Sequence, residues 1–280
     1  MKGRVLLMFL LVSSTPYAQE IEGAKQLSMS SAFSAAANTN EALFINAAGM
    51  SLYPNRYNID LFYTYKNRDG FNIGTLSILD SSTSYPLCAG FAFSYMWGKD
   101  VDVERQGYRI DLGFSYPFST RLLWGFDVKY LRIDIDKKAN AINAATTDTG
   151  FIFLVTKWAR VSVFGQNLIY IGRDEFPMRS GAGVMIGSES SFFATEDTIF
   201  TFFKDGEKKV TQSIGANLFL GDFFSLSAGY KYDQIPKNHH YVSAGFGFFS
   251  KVAALESGFR QAIEEQDDFV ITVSIKFFTE

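Results

Sequence analysis

His239 and His240 are the only histidines in the chain, and the nearest acid upstream of them is Asp233. A carboxylate beside a histidine is the base half of a nucleophilic hydrolase, but that chemistry also needs a positioned nucleophile. The residues in between include Pro236, Lys237 and Asn238, an ordinary polar loop with no nucleophile at a usable spacing. No catalytic residue is assigned, and the chain reads as a non-enzyme. A metal centre is equally poorly supported: one cysteine, Cys88, and two neighbouring histidines do not make a usual zinc spacing, and adjacent residues of a strand point to opposite faces. Gly181-Ala182-Gly183 lacks the lysine and the strand-to-helix setting of a phosphate loop. No metal, cofactor or nucleotide is therefore expected, and a net charge of −3 gives no surface for nucleic acid.

With no reaction centre to position, the information lies in the pattern. Tyr108, Ile110, Leu112, Phe114 and Tyr116 alternate with Arg109, Asp111, Gly113 and Ser115, and the segments around 224–232 and 242–248 repeat the scheme. A soluble sandwich also alternates, but its buried faces are mainly aliphatic, whereas these carry aromatics at both ends, as a membrane-interface girdle does. Phe (29), Tyr (14) and Gly (23) are abundant, yet the mean hydropathy is only +0.02, as expected when every second residue is polar. The fold class that follows is all-β: a transmembrane antiparallel barrel of about fourteen strands, an even number as bacterial barrels require. Strands are expected near 57–66, 71–79, 87–97, 107–116, 121–133, 147–158, 160–170, 179–187, 191–204, 210–220, 223–233, 240–249, 251–260 and 268–278. Even-numbered connections are mostly short, while odd-numbered ones such as 98–106 and 134–146 read as longer, charged loops, which puts both chain ends in the periplasm.

The same parity aims Asp60, Arg109, Asp111, Asp127, Lys129, Lys231, Glu256 and Lys276 into the lumen. Their mixed signs predict paired or hydrated wall charges rather than an ion-selective ring, which carries one sign. Gly90, Gly113, Gly181, Gly183, Gly229, Gly245 and Gly247 also face inward, where a missing side chain allows close approach. Two places break the pattern. Both faces are apolar from 151 to 155, and at Glu196-Asp197 one acid must face lipid unless a β-bulge or an early strand end intervenes.

At the N-terminus, Lys2 and Arg4, the apolar run 5–12 and the small residues up to Ala18 have the layout of a signal peptide, expected to occupy 1–18 and to be cleaved near Ala18. At the C-terminus, Phe269, Ile271, Val273, Ile275 and Phe277 form an alternating strand that resembles the aromatic-ended signal recognised by the bacterial barrel-assembly machinery, followed here by Thr279-Glu280. Together they predict residence in a Gram-negative outer membrane, with the lipid bilayer as partner. Residues 19–56 lack alternation and are rich in Ala and Ser; they are expected to plug the barrel formed by 57–280.

Three stretches in the plug and two beyond it carry a family resemblance. Gly23-Ala24 through Met29, Ser31-Ala32-Phe33-Ser34-Ala35 and Glu41-Ala42-Leu43-Phe44-Ile45-Asn46-Ala47-Ala48-Gly49-Met50 resemble the opening and the Asn-Pro-Ala-Gly-Leu element of the FadL-like superfamily. That superfamily includes long-chain fatty-acid transporters and the PorV-type proteins of the type IX secretion system. Gly165-Gln166-Asn167-Leu168 and Ser227-Ala228-Gly229-Tyr230-Lys231-Tyr232 resemble strand motifs of its PorV-type branch. Ala47 stands where the family has Pro, and the chain is shorter than typical transporters. The resemblance implies a fourteen-stranded barrel with an N-terminal hatch. It also implies either passive movement of small hydrophobic molecules, which leave sideways through the wall, or a non-transporting role docking other envelope proteins. Phe33, Phe44, Asn46, Gly49 and Met50 are the candidate hatch residues, with Asn46 tying backbone groups at its turn and Gly49 permitting that turn.

Overall fold

The computed structural model describes residues 21–54, 56–68, 70–100, 103–135, 141–169, 176–235 and 238–279; the expected signal peptide lies outside them. Fourteen strands among these residues close into one antiparallel barrel: β1 (Tyr57–Lys66), β2 (Phe71–Asp80), β3 (Cys88–Asp100), β4 (Val103–Pro117), β5 (Leu122–Ile135), β6 (Ile142–Thr156), β7 (Ala159–Gln166), β8 (Met178–Gly187), β9 (Phe192–Phe202), β10 (Lys208–Leu220), β11 (Phe224–Asp233), β12 (His239–Phe249), β13 (Ala253–Ala262) and β14 (Phe269–Thr279). Each strand pairs with its sequence neighbours, and β1 meets β14 from Tyr57↔Thr279 to Lys66↔Val270, so no edge is left unpaired. The junction places the start of β1 and the end of β14 together at what we term the lower end, with the connections 81–87, 118–121, 157–158, 188–191, 221–223 and 250–252.

Alternation sets what each face meets. Leu61, Leu76, Phe93, Leu112, Val163, Ile214, Phe246 and Ile275 are exposed on the outside although apolar, which a protein dissolved in water would not sustain over a whole cylinder. Tyr63, Tyr95 and Trp97 form a contact chain on the outer surface towards the upper end, while Tyr116, Phe118 and Trp124 form another towards the lower end. Two aromatic belts flanking an apolar band define a membrane-spanning barrel.

Four expectations are corrected. The 98–106 segment is not a long loop, because β3 and β4 stay paired up to Asp100↔Val103. The 134–146 connection is likewise shortened, since β5 runs to Ile135 and β6 begins at Ile142. Beyond the bilayer a hairpin can continue with polar residues on both faces, because its ladder still satisfies the backbone. The seventh strand ends at Gln166 rather than 170: Asn167 takes a left-handed φ of 56°, and its neighbour Leu168 donates back to Thr147 O. Finally, β9 has neither bulge nor early end at its acidic pair, because its register to β10 is continuous through Glu196↔Ile214 and Asp197↔Ser213. Asp197 points inward, and Glu196 does face outward, where it accepts a 2.8 Å bond from the Thr198 hydroxyl.

Candidate functional site

Residues 21–54 run through the lumen as short pieces: α1 (Ala24–Ser28), α2 (Ala42–Ile45), and 3-10 turns at Thr39–Glu41 and Ala47–Ser51. Such short helices are marginal in water and depend on packing. Here Phe33, Leu43, Phe44, Ile45 and Met50 join Phe62, Ile73, Ala92 and Met96 of the wall in one buried cluster. Ala48 packs on Leu123 and Ile152, so the doubly apolar stretch of β6 serves lipid on one face and the plug on the other.

All five candidate hatch residues lie in this segment. The Phe44 ring meets Phe62 edge-to-face at 5.7 Å and also lies under the Arg109 guanidinium. Asn46 caps the second 3-10 turn: its Oδ1 accepts from Ala48 N at 3.2 Å, and its Nδ2 donates to Ser34 O at 3.3 Å and to Phe151 O at 3.4 Å. Gly49 has an ordinary φ; its requirement is space, since a Cβ there would fall 2.0 Å from Ala37 O. The wall glycines divide. A Cβ at Gly90 or Gly113 would strike Leu43 and Met50, one at Gly183 Ser34, one at Gly229 Met29 and one at Gly245 Ser28, whereas Gly181 and Gly247 are covered by the wall residues Phe164 and Phe249.

The eight inward charges are all buried, Asp60, Asp111 and Asp127 completely. Lys276 binds Glu256 of the wall and reaches Glu41 of the plug at 2.5 Å, while Asp60 accepts from Ser274 at 2.6 Å. Arg109 pairs with Asp111, Lys129 with Asp148 at 2.5 Å, and Lys231 with Asp233 at 2.9 Å. Charge in this low-dielectric interior is costly unless paired, and these groups each hold both signs, whereas both carboxylate oxygens of buried Asp127 lie without a hydrogen-bond partner.

The strongest plug anchors are residues that parity alone did not single out. Asp197 accepts from Phe33 N and Ser34 N, each at 2.9 Å, and from Ser34 Oγ at 2.6 Å. Arg260 pairs with Glu22 at 2.9 Å. At the lower end the turn residue Glu189 folds inward, accepting from Arg160 at 2.6 Å, Asn38 at 2.7 Å and Tyr53 at 2.5 Å. Burial pushes the Glu189 carboxyl upward, but Arg160, the Tyr53 hydroxyl and Lys25 outweigh it and hold it below its ordinary value. No local pattern announces these partners, which are far apart in the chain.

Above the plug the inner wall changes character from one side to the other. On β2, β3, β5 and β6 the inward positions nearest the upper end are Phe71, Ile73, Met96, Leu131, Ile133, Ile142 and Ala144, closed over by Phe176. On β8 to β13 the corresponding positions include Arg179, Thr211, Lys231 and Arg260. The apolar side descends to Leu43, Phe44 and Met50, with Arg109 and Lys129 at its foot beside a cavity of about 10 Å³. A further cavity of about 590 Å³ opens at the lower end between Lys25, Tyr53, Arg56, Glu189, Phe219 and Phe278.

Fold and interior together define a plugged, fourteen-stranded, membrane-spanning β-barrel. Three solved structures share this architecture. The P. putida toluene transporter TodX matches with a TM-score of 0.73 at 12% identity, covering 94% of this chain and 99% of that one. The CymD monoaromatic hydrocarbon channel matches with a TM-score of 0.72 at 11% identity, covering 92% and 97%. A Pseudomonas aeruginosa FadL homologue matches with a TM-score of 0.64 at 10% identity, covering 92% and 97%. No protein-family model matches the sequence, and no curated protein resembles it in sequence.

Proposed function

We propose that this protein is an outer-membrane conduit through which small hydrophobic molecules diffuse passively, with residues 21–54 as a displaceable plug, the upper end outside and the lower end in the periplasm. The observation that carries this reading is the one-sided apolar lining from Phe71, Ile133 and Ile142 at the upper rim down to Phe44 and Met50. A water-filled pore needs no such strip, and a barrel that is merely stuffed has no reason to gather its large apolar inward residues on β2, β3, β5 and β6, either side of a β4 that carries Arg109 and Asp111. The likeness to TodX and CymD supports the same reading. The envelope-docking role suggested by the PorV-type resemblance draws no support from these comparisons.

Uptake of labelled toluene and labelled fatty acid into cells with and without the protein tests the proposal. Faster entry of at least one is expected. Substituting Ile133 and Ile142 together by Asn, which leaves the plug anchors alone, should abolish the gain. Equal uptake with and without the protein would remove the idea.

A further inference from the structure

A polar cluster at the upper rim plays no part in a conduit for apolar molecules. His239 opens β12 with its side chain turned inward and 3% exposed; Asp268, immediately before β14, is 9% exposed, and Glu265 precedes it in the 263–268 connection. One potential ligand atom from each of these three residues lies within 4.8 Å of the others. His239 Nε2 stands 3.8 Å from Glu265 Oε1, and His239 Nδ1 stands 4.0 Å from Glu264 Oε2, both too far for a hydrogen bond. The Nδ1 atom is fully buried and has no hydrogen-bond partner.

A buried imidazole surrounded by carboxylates ordinarily moves into hydrogen-bonding contact with one of them. Here it is held at a separation suited to sharing an ion, since two ligands each about 2.1 Å from a metal sit up to about 4.2 Å apart. Closing the widest gap needs only small side-chain shifts. Tyr241 donates to Asp268 Oδ2 at 3.2 Å, the kind of outer contact that orients a ligating carboxylate. Arg68, from the β1–β2 turn, now supplies the positive charge, at 3.1 Å from Asp268 and 3.6 Å from Glu265.

We propose that His239, Glu265 and Asp268 form a binding site for a divalent transition-metal ion of the zinc class, with Arg68 as its displaceable counter-ion. One imidazole nitrogen and two carboxylates suit zinc or its first-row neighbours, whereas calcium takes six to eight oxygens. Binding would join the start of β12 to the 263–268 loop and free the β1–β2 turn, rearranging one side of the mouth. Histidine spacing conceals such a site, because the carboxylates come from a loop one hairpin further along the chain.

The test is isothermal titration of zinc chloride into the full-length, detergent-folded protein after chelator treatment, with bound zinc counted by mass spectrometry. One zinc per chain is expected. His239→Ala and Asp268→Asn should each weaken binding at least tenfold, and Arg68→Ala should strengthen it several-fold by removing the competing cation. His240→Ala, whose ring lies outward against Tyr230, should bind as the unmodified protein does. Should His239→Ala fail to fold, the Asp268 and Arg68 variants decide on their own. No zinc above the chelated blank, unchanged binding in Asp268→Asn, weaker binding in Arg68→Ala, or an equal loss in His240→Ala would each overturn the assignment.

Discussion

Replacing Asp197 by Ala should unlock the plug while leaving the wall intact. Its carboxylate accepts from Phe33 N, Ser34 N and Ser34 Oγ, and only the hydroxyl has another partner, Ser162 Oγ at 2.6 Å. Removing the acceptor strands two buried N–H groups, and bonds to a charged group are worth about 1.5–3 kcal/mol each. Desolvation of Asp197 itself offsets part of that, leaving roughly 3–5 kcal/mol of weaker docking, or about two to four powers of ten in the docked-to-released ratio. Cys88 is a built-in reporter: it is the only cysteine, faces inward, is completely buried, and contacts Ser51 of the plug at 3.5 Å. The two regions are coupled, since Asn46 holds Ser34 O and Gly49 lies against Ala37. A water-soluble maleimide should therefore label Cys88 at least tenfold faster in Asp197→Ala than in the unmodified protein. Heat-modifiable gel mobility would show the barrel still folded. Labelling rates within twofold of each other would refute the idea that this carboxylate is the latch.

Two further outcomes follow from the same geometry. Because the Glu189 carboxyl is held below its ordinary value, its contribution to plug docking is fully present above the unfolded value and is lost as pH falls through the lowered folded one; the Cys88 labelling rate, divided by that of a free thiol at the same pH because only the thiolate reacts, should rise below about pH 4.5, and Glu189→Gln should flatten that rise while raising the ratio at neutral pH. Glu196 sits on the lipid-facing side of β9 between Val184 and Ile214, so Glu196→Leu should stabilise the folded barrel by about 1–2 kcal/mol against urea in lipid vesicles, and a destabilised variant would mean that this outer face meets something other than lipid.

How legible these features were depends on the distance over which each is encoded. Strand β1 could be bounded at 57–66 from alternation alone, because lipid outside and polar groups inside impose period two on every residue it contains. The upper part of β4 escaped because Glu104, Arg105 and Gln106 are polar on both faces, so period two vanishes although the ladder to β3 continues. Inside the plug, the tie between Asn46 and Ala48 spans two residues and could be inferred from the turn. The tie between Ser34 and Asp197 spans 163 residues, and only closure of the barrel brings them together. The acidic pair on β9 combined both problems. Strict parity sends one carboxylate outward, and the reason β9 keeps that parity is the bond its other carboxylate makes to the plug.

That contrast also bears on which part of the molecule opens first. The wall is one uninterrupted ladder, so parting any two strands exposes a row of backbone groups to a medium that cannot hydrogen-bond them. The plug is joined to the wall at separate points: Asp197 to Phe33 and Ser34, Lys276 to Glu41, Arg260 to Glu22, and Glu189 to Asn38 and Tyr53. Each such bond can be exchanged for water entering the lumen, at a modest net cost per bond. Its helices are too short to persist once undocked, and its close seats against wall glycines give it contact without covalent or ladder continuity. On the conduit reading, residues 21–54 are therefore the expected low-stability unit of the fold, the part that shifts while the cylinder stays closed.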